Sequence, residues 1–254
     1  MKLLICLAFL SSCSGLVPEG NPKEEKRSFG YHDISGKWSL SREHKLLKKK
    51  LVSRIVIAPD LNTTSKPLEK SVSVSQVGTI KGKRGRIPTV RPFASEYSVW
   101  LEGKEYKSQM KLDAANKSMI VDLDSPEAKW KGRSSLRFPK GDQFCFFTQL
   151  AECIHYNQLL YRAQAVPEKP IPFILVWDGY PYIQELYSGV GSRLFSSASL
   201  RFATEKQGVL HFEVEVDGQT LLYQFSKSHE LVRMFWIAQG ISILPPGEEV
   251  QDVE

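Results

Sequence analysis

Residues 209–225 read VLHFEVEVDGQTLLYQF, and this stretch constrains the fold more than any other. Phe212, Val214 and Val216 alternate with Glu213 and Glu215. An extended chain therefore places the apolar side chains on one face and the carboxylates on the other. A helical period would scatter both sets around its circumference. Asp217-Gly218 then supplies two residues that tolerate positive φ, and the apolar pattern resumes in TLLYQF. The segment requires an antiparallel hairpin with one buried face. Such a hairpin is marginal alone, so the rest of the chain must extend the sheet.

The same signature recurs along the sequence. YSVWL, EGKEY and SQMKLDAANKSMIVDLD read as strands joined by turns at Glu102-Gly103 and residues 114–117. SSLRF, IPFILVW, YIQELYS, SASLRFAT and LVRMFWIA read as further strands. Many strands with short turns fit a mainly β fold, a curved antiparallel sheet in the form of a β-spiral or open barrel, better than a doubly wound sheet. Such a sheet protects its edges and can enclose an apolar ligand. The 254 residues, 42% hydrophobic and 24% charged, are enough for one large core and exclude a wholly disordered or multi-spanning chain. The expected organisation is a signal peptide over residues 1–12, a lipidated cysteine and tether over 13–36, a β-rich domain over 37–246 and a flexible acidic tail over 247–254.

One stretch breaks the β pattern. In residues 139–160, Phe147, Leu150, Ala151 and Ile154 have helical spacing, which predicts a short central helix against the sheet. Cys145 and Cys153 would stand about 12 Å apart on one straight helix, beyond the roughly 4.4–6.8 Å that a disulfide spans. A helix starting after Cys145, with a turn near residues 146–148, brings them within reach. An oxidising compartment permits the bond, against the alternatives of two buried thiols or redox and metal chemistry. The spacing lacks the CxxC signature of a redox pair.

Charge is mildly basic, with 34 Lys and Arg against 28 Asp and Glu, a formal net charge of +6. HKLLKKKL, residues 44–51, reads as a solvated basic face, either a short amphipathic helix or the lead into the strand LVSRIVIA. Lys81, Lys83, Arg84, Arg86 and Arg91 form a second basic run with glycines and prolines, which reads as a loop. It reads first as an unspecialised solubilising loop, with an anionic envelope polymer or lipid headgroup as the alternative partner reading. No recognition motif for nucleic acid accompanies the charge, so nucleic acid is not expected as a partner.

The N-terminus carries an address. Lys2 precedes the apolar run LLICLAFL and then SSC. The run is far below the roughly 20 residues that span a bilayer and matches a secretory signal. Leu10-Ser11-Ser12-Cys13 resembles the bacterial lipobox, which implies acylation of the Cys13 thiol and cleavage on its N-terminal side. Ser14 rather than Asp after the cysteine favours the outer membrane, facing the periplasm. Secretion or the cell surface is the alternative location.

The order Phe138-Pro139, Gly141, Phe144, a helical segment and Val176-Trp177-Asp178-Gly179 resembles the periplasmic β-spiral family implicated in cell-envelope integrity. That family has a related FP-containing turn before a helix and an FDG-like strand end. Here Trp177 stands in place of the phenylalanine, and Cys145 follows Phe144. The likeness extends over about residues 90–243. It implies a curved sheet around a central helix, acting at the envelope, and it transfers no catalytic residue.

No catalytic set assembles from the sequence, and no metal or cofactor is called for. Glu152 and His155 at i,i+3 make at most half of a metal site, without further ligands nearby. Asp178 ends an apolar strand and reads as a turn cap; paired with Glu152 or Glu185 it would suit acid–base hydrolysis. Ser188-Gly189-Val190-Gly191-Ser192 lacks the helix of a dinucleotide site and the GxSxG spacing of a nucleophile elbow. It reads as a mobile rim loop. Gly189, Gly191 and Ser192, with Tyr180 and Tyr182, are the candidate rim for a ligand or partner, and Tyr187 is a further groove aromatic. Trp100, Trp130, Trp177 and Trp236 read as core. The function expected is a non-enzymatic envelope lipoprotein, structural or binding, with an envelope protein, lipid or anionic polymer as partner. A lipid or lipoprotein carrier with an apolar cavity and an envelope hydrolase are the alternatives.

Overall fold

The computed structural model describes residues 25–32, 37–47, 49–59, 67–82, 85–141 and 143–248. Residues 1–12, expected to be a signal peptide, Cys13 and the tail beyond Glu248 lie outside the described residues. The first eight strands follow chain order as neighbours: β1 (Glu25–His32), β2 (Lys37–Leu47), β3 (Lys50–Ala58), β4 (Glu69–Gly82), β5 (Gly85–Leu101), β6 (Lys104–Asp113), β7 (Ser118–Asp124) and β8 (Gly132–Arg137). The remainder are β9 (Phe144–Phe146), β10 (Ile171–Val176), β11 (Phe195–Lys206), β12 (Val209–Val216), β13 (Gln219–Ser226), β14 (Leu231–Trp236) and β15 (Ile241–Leu244). Strand β1 pairs antiparallel with both β2 and β15, so it joins two meanders into one sheet of 15 described strands.

This corrects the expected architecture. The strand order runs from β8 at one end to β9 at the other, and those ends are not paired. The sheet is not closed into a barrel or spiral, and the barrel-like description falls with it. It is also mixed, because β9 pairs parallel with β10. The physical reason lies in the ends themselves. Strand β8, GRSSLR, is polar and mostly exposed, and β9 has three residues, too few for a closing ladder. Among the described residues, no helix is long and apolar enough to cross a membrane.

The hairpin chemistry works as the sequence requires. Asp217 and Gly218 have φ of 49° and 75°, the left-handed pair of a type I′ turn. Phe212, Val214 and Val216 are buried, while Glu215 is exposed and Glu213 half-buried. Three local expectations change. Residues 25–32, within the expected tether, form β1. Much of the second basic run is strand: residues 77–82 pair with 85–90 as the far end of the β4–β5 hairpin, while Lys83 and Arg84 lie outside the described residues. YIQELYS is not a strand, because Ile183–Leu186 forms α3 after the Asp178-Gly179 turn, with Gly179 O accepting from Ile183 N.

The central helix is a broken pair. After a 3₁₀ turn over Phe147–Gln149 comes α1 (Leu150–Tyr156), then Gln158 at φ 56°, then α2 (Leu159–Ala165). Cys145 and Cys153 are bonded, with Cα atoms 5.6 Å apart. The 3₁₀ turn between them is the bend that permits this geometry. Leu150, Ile154, Leu159, Leu160 and Ala163 are buried in one cluster with Phe29 and Leu40 from β1 and β2 and with Phe212, Phe225 and Trp236 from β12–β14. A second cluster ties Met110, Met119 and Val121 to Phe146 and Val176. The helices are thus gripped by both meanders.

Candidate functional site

Strand β4 reads EKSVSVSQ, and its alternation puts Ser71, Ser73 and Ser75 on the buried face, with Val72 and Val74 half-buried on the other. Small hydroxyl side chains let the 3₁₀ turn approach the sheet closely, and its polar groups then bond to the strand. Gln149, fully buried, accepts from Ser75 Oγ at 2.6 Å and donates to Ser73 O at 2.7 Å. Asp178, at the end of β10, is fully buried as well. It accepts from Ser73 Oγ at 2.6 Å, from the Thr148 hydroxyl and from Thr148 N at 3.3 Å. Its first role is therefore to cap the 3₁₀ turn and tie β10 to β4.

Beside this polar post lies a cavity of about 110 Å³. Its walls are largely apolar: Leu40 and Ile57 from β2 and β3, Leu150 and Ala151 from α1, and Met234, Trp236, Ile241 and Ile243 from β14 and β15. Aromatic rings of Phe147, Tyr97, Tyr187 and Tyr223 complete it. Two carboxyl groups enter this lining, Asp178 and Glu69. Glu69 accepts from Tyr97 OH at 2.7 Å and from Tyr187 OH at 3.2 Å. The residue keeps some accessible area, yet burial of its carboxyl is the largest influence on its titration and raises it above the ordinary carboxylate range. The hydroxyl bonds oppose that rise, and nearby Asp178 adds to it. Burial likewise raises Asp178 against the pull of its three hydrogen bonds. Ser71, 5% exposed, also lines the cavity, and its Oγ has no hydrogen-bond partner.

A second cleft adjoins the first, sharing Arg42, Ala151 and Leu231 with it. Glu152 forms an ion pair with Arg42 of β2, and His44, His155, Tyr156 and His229 surround it. His155 and His229 have ring centroids 5.8 Å apart, and His229 Nε2 is 3.0 Å from Gln164 Oε1. Burial lowers the pKa of both imidazoles. Among the described residues, no group of three or more His, Cys, Asp or Glu side chains is placed to hold a metal ion.

The residues singled out from sequence are only partly brought together. Asp178 meets Glu69, which the sequence reading missed, instead of Glu152 or Glu185. Glu152 lies in the second cleft and Glu185 is exposed. Tyr182 is no rim residue: it is fully buried, and its hydroxyl reaches Lys107 O at 3.1 Å and Trp130 O at 3.4 Å. Its ring meets Tyr106 and Trp130 edge-on. Tyr180 is half-buried and packs against two core clusters. Gly189 and Ser192 are exposed and Gly191 half-buried, and none of the three lines the cavity. The loop is tied down on one side, where Gln219 Nε2 donates to Ser188 O at 3.0 Å and Gln239 Nε2 to the same oxygen at 2.5 Å. Tyr187 alone of the groove aromatics reaches the cavity. Trp177 and Trp236 are fully buried, as core residues should be, whereas Trp100 and Trp130 are half-buried.

Chemically, the lining offers carboxyl and hydroxyl oxygens within an apolar shell. Among the described residues, it includes no histidine, cysteine or lysine to pair with Ser71 or Thr148 as a base. No family model, curated protein or solved structure matches the chain.

Proposed function

We propose that the chain is a non-enzymatic binding factor of the cell envelope, lipid-anchored through Cys13 at the outer membrane facing the periplasm. Its cavity takes the apolar part of a small ligand. The supporting observation is the cavity itself: about 110 Å³, walled by aliphatic and aromatic side chains, with a few oxygens converging at one side. Pockets that hold small molecules combine an apolar lining with a few placed polar groups in this way. The volume favours a ligand of a few carbons, since a benzene-sized cavity is about 150 Å³. It is well short of the roughly 300 Å³ or more of a drug-sized site, which argues against a carrier of long acyl chains.

The test uses the short-chain probes 1-butanol and n-butylammonium, titrated into the protein while NMR signals of Trp236 and Met234 are followed. At least one should bind saturably. Ala151→Leu places an isobutyl group in the same space, so binding should vanish while the protein stays folded. Absence of any saturable shift with both probes would overturn the binding reading. An intact mass showing an unacylated mature terminus beyond Cys13 would overturn the anchor.

A further inference from the structure

We infer that the cavity is a site for a small organic ammonium ion, whose cationic head lies among Glu69, Asp178 and Ser71 and whose apolar part lies against Trp236 and Met234. This rests on the cavity being a ligand site, as proposed above, and adds the chemistry of its occupant.

Two acidic side chains enter one apolar cavity, and neither makes an ion pair with a Lys or Arg among the described residues. Arg42 lines the same cavity, but its guanidinium is engaged by Glu152. Buried carboxylates are costly without a counter-charge, and one near another is costlier still. The hydroxyls of Tyr97, Tyr187, Ser73 and Thr148 relieve part of that cost without supplying positive charge.

The second observation is independent of charge. Ser71 is nine-tenths buried, faces the cavity and has no hydrogen-bond partner for Oγ. It stands two positions after Glu69 and two before Ser73 on the same face of β4, the strand that carries both acid contacts. A primary ammonium has three N–H donors and no acceptor. An apolar cavity offering two carboxyl groups and an unpartnered hydroxyl is complementary to that head. The rings of Tyr97 and Tyr187, whose hydroxyls bond Glu69, add faces that attract a desolvated cation.

The two short-chain probes separate this inference from the reading beneath it. n-Butylammonium should bind at least tenfold more tightly than 1-butanol, which has the same chain and no charge. Glu69→Gln should bring the two affinities within about twofold of each other, a loss of about 1.4 kcal/mol per tenfold. Glu69→Asp, which keeps the charge, should retain a preference. If 1-butanol binds as tightly as the ammonium, the ammonium assignment falls and the cavity reading stands. If the preference exists but Glu69→Gln leaves it unchanged, the placement of the head is wrong. If neither probe binds, both readings fall. Should Glu69→Gln not fold, the comparison of the two probes on the wild-type protein still decides the matter.

Discussion

Asn157 holds an unusual position, and its removal has a calculable consequence. It follows α1 and is 4% exposed. Its side-chain oxygen accepts from Val90 N at 2.7 Å, and its Nδ2 donates to Val90 O at 3.0 Å. Strand β6 pairs with β5 only from Ala94 onward, so Val90 lacks a strand neighbour on that side. The amide of Asn157 stands where a strand would. Val90 is fully buried, which means that Asn157→Ala leaves one N–H and one C=O without partners and away from water. Each orphan costs about 1–3 kcal/mol, so the variant should lose about 2–6 kcal/mol. Urea unfolding followed by far-UV circular dichroism would show this as a lower midpoint at unchanged slope. Asn157→Asp is the control, because it preserves the acceptor for Val90 N but turns an oxygen toward Val90 O. It should be no more stable than the alanine variant. A loss below about 1 kcal/mol for Asn157→Ala would refute the reasoning, since it would mean that water or relaxation replaces the amide.

Breaking the Cys145–Cys153 bond by double alanine substitution opens a link across a separation of 8 residues. By the chain-entropy relation the cost is about 2.5 kcal/mol, read as a fall in the unfolding midpoint under non-reducing conditions. Tyr182→Ala should cost about 3–5 kcal/mol in the same assay, and Tyr182→Phe about 1 kcal/mol, because the ring is core and only the hydroxyl bonds are lost. Glu69 carries a testable sign. Its folded pKa is raised, so its contribution to stability is intact below the ordinary carboxylate range and declines as pH rises through the folded value. Glu69→Gln should therefore gain stability relative to the wild type between pH 4 and pH 8, and a difference independent of pH would contradict the burial of that carboxyl.

Much of the sheet was legible because its signal lies in side chains. Phe212, Val214 and Val216 announce a buried face, and Asp217-Gly218 announces the turn. The Cys145–Cys153 bond was expected from an exported chain in which a bend could bring these two cysteines together; the spacing alone left two buried thiols open. Strand β1 was not legible, since EKRSFGYH has little apolar content beyond Phe29, which enters the core. Its place between β2 and β15 comes from backbone pairing, which leaves no periodic mark on the sequence. The open ends were hidden for a related reason: strand patterns announce faces and turns, whereas closure depends on which edges meet. Tyr182 was misplaced because a tyrosine hydroxyl can be satisfied by buried carbonyls as well as by solvent. At Glu69, the KSVSVS alternation suggests valines inward and serines outward. The 3₁₀ turn reverses that choice by bringing Gln149 and Thr148 against the strand, with partners for the serine hydroxyls.

That reversal also explains why a cavity survives between β4 and β14. The 3₁₀ turn stands on β4 through Ser73, Ser75, Gln149 and Asp178, polar groups with fixed hydrogen-bond lengths. A turn supported in this way cannot slide inward to fill space as an aliphatic contact would. The Cys145–Cys153 bond fixes α1, which follows the turn, to β9, and Asp178 fixes the turn to the end of β10. The opposite wall, Met234, Trp236 and Ile241, belongs to strands held by their own ladders. Neither wall can approach the other without breaking buried polar bonds, so the space between Glu69, Ser71 and Trp236 is built into the fold. A ligand entering such a site loses little to ordering the protein, which favours affinity. The same rigidity leaves stability unrealised in the empty space, and a bulkier residue at Ala151 should recover some of it only by giving up the site.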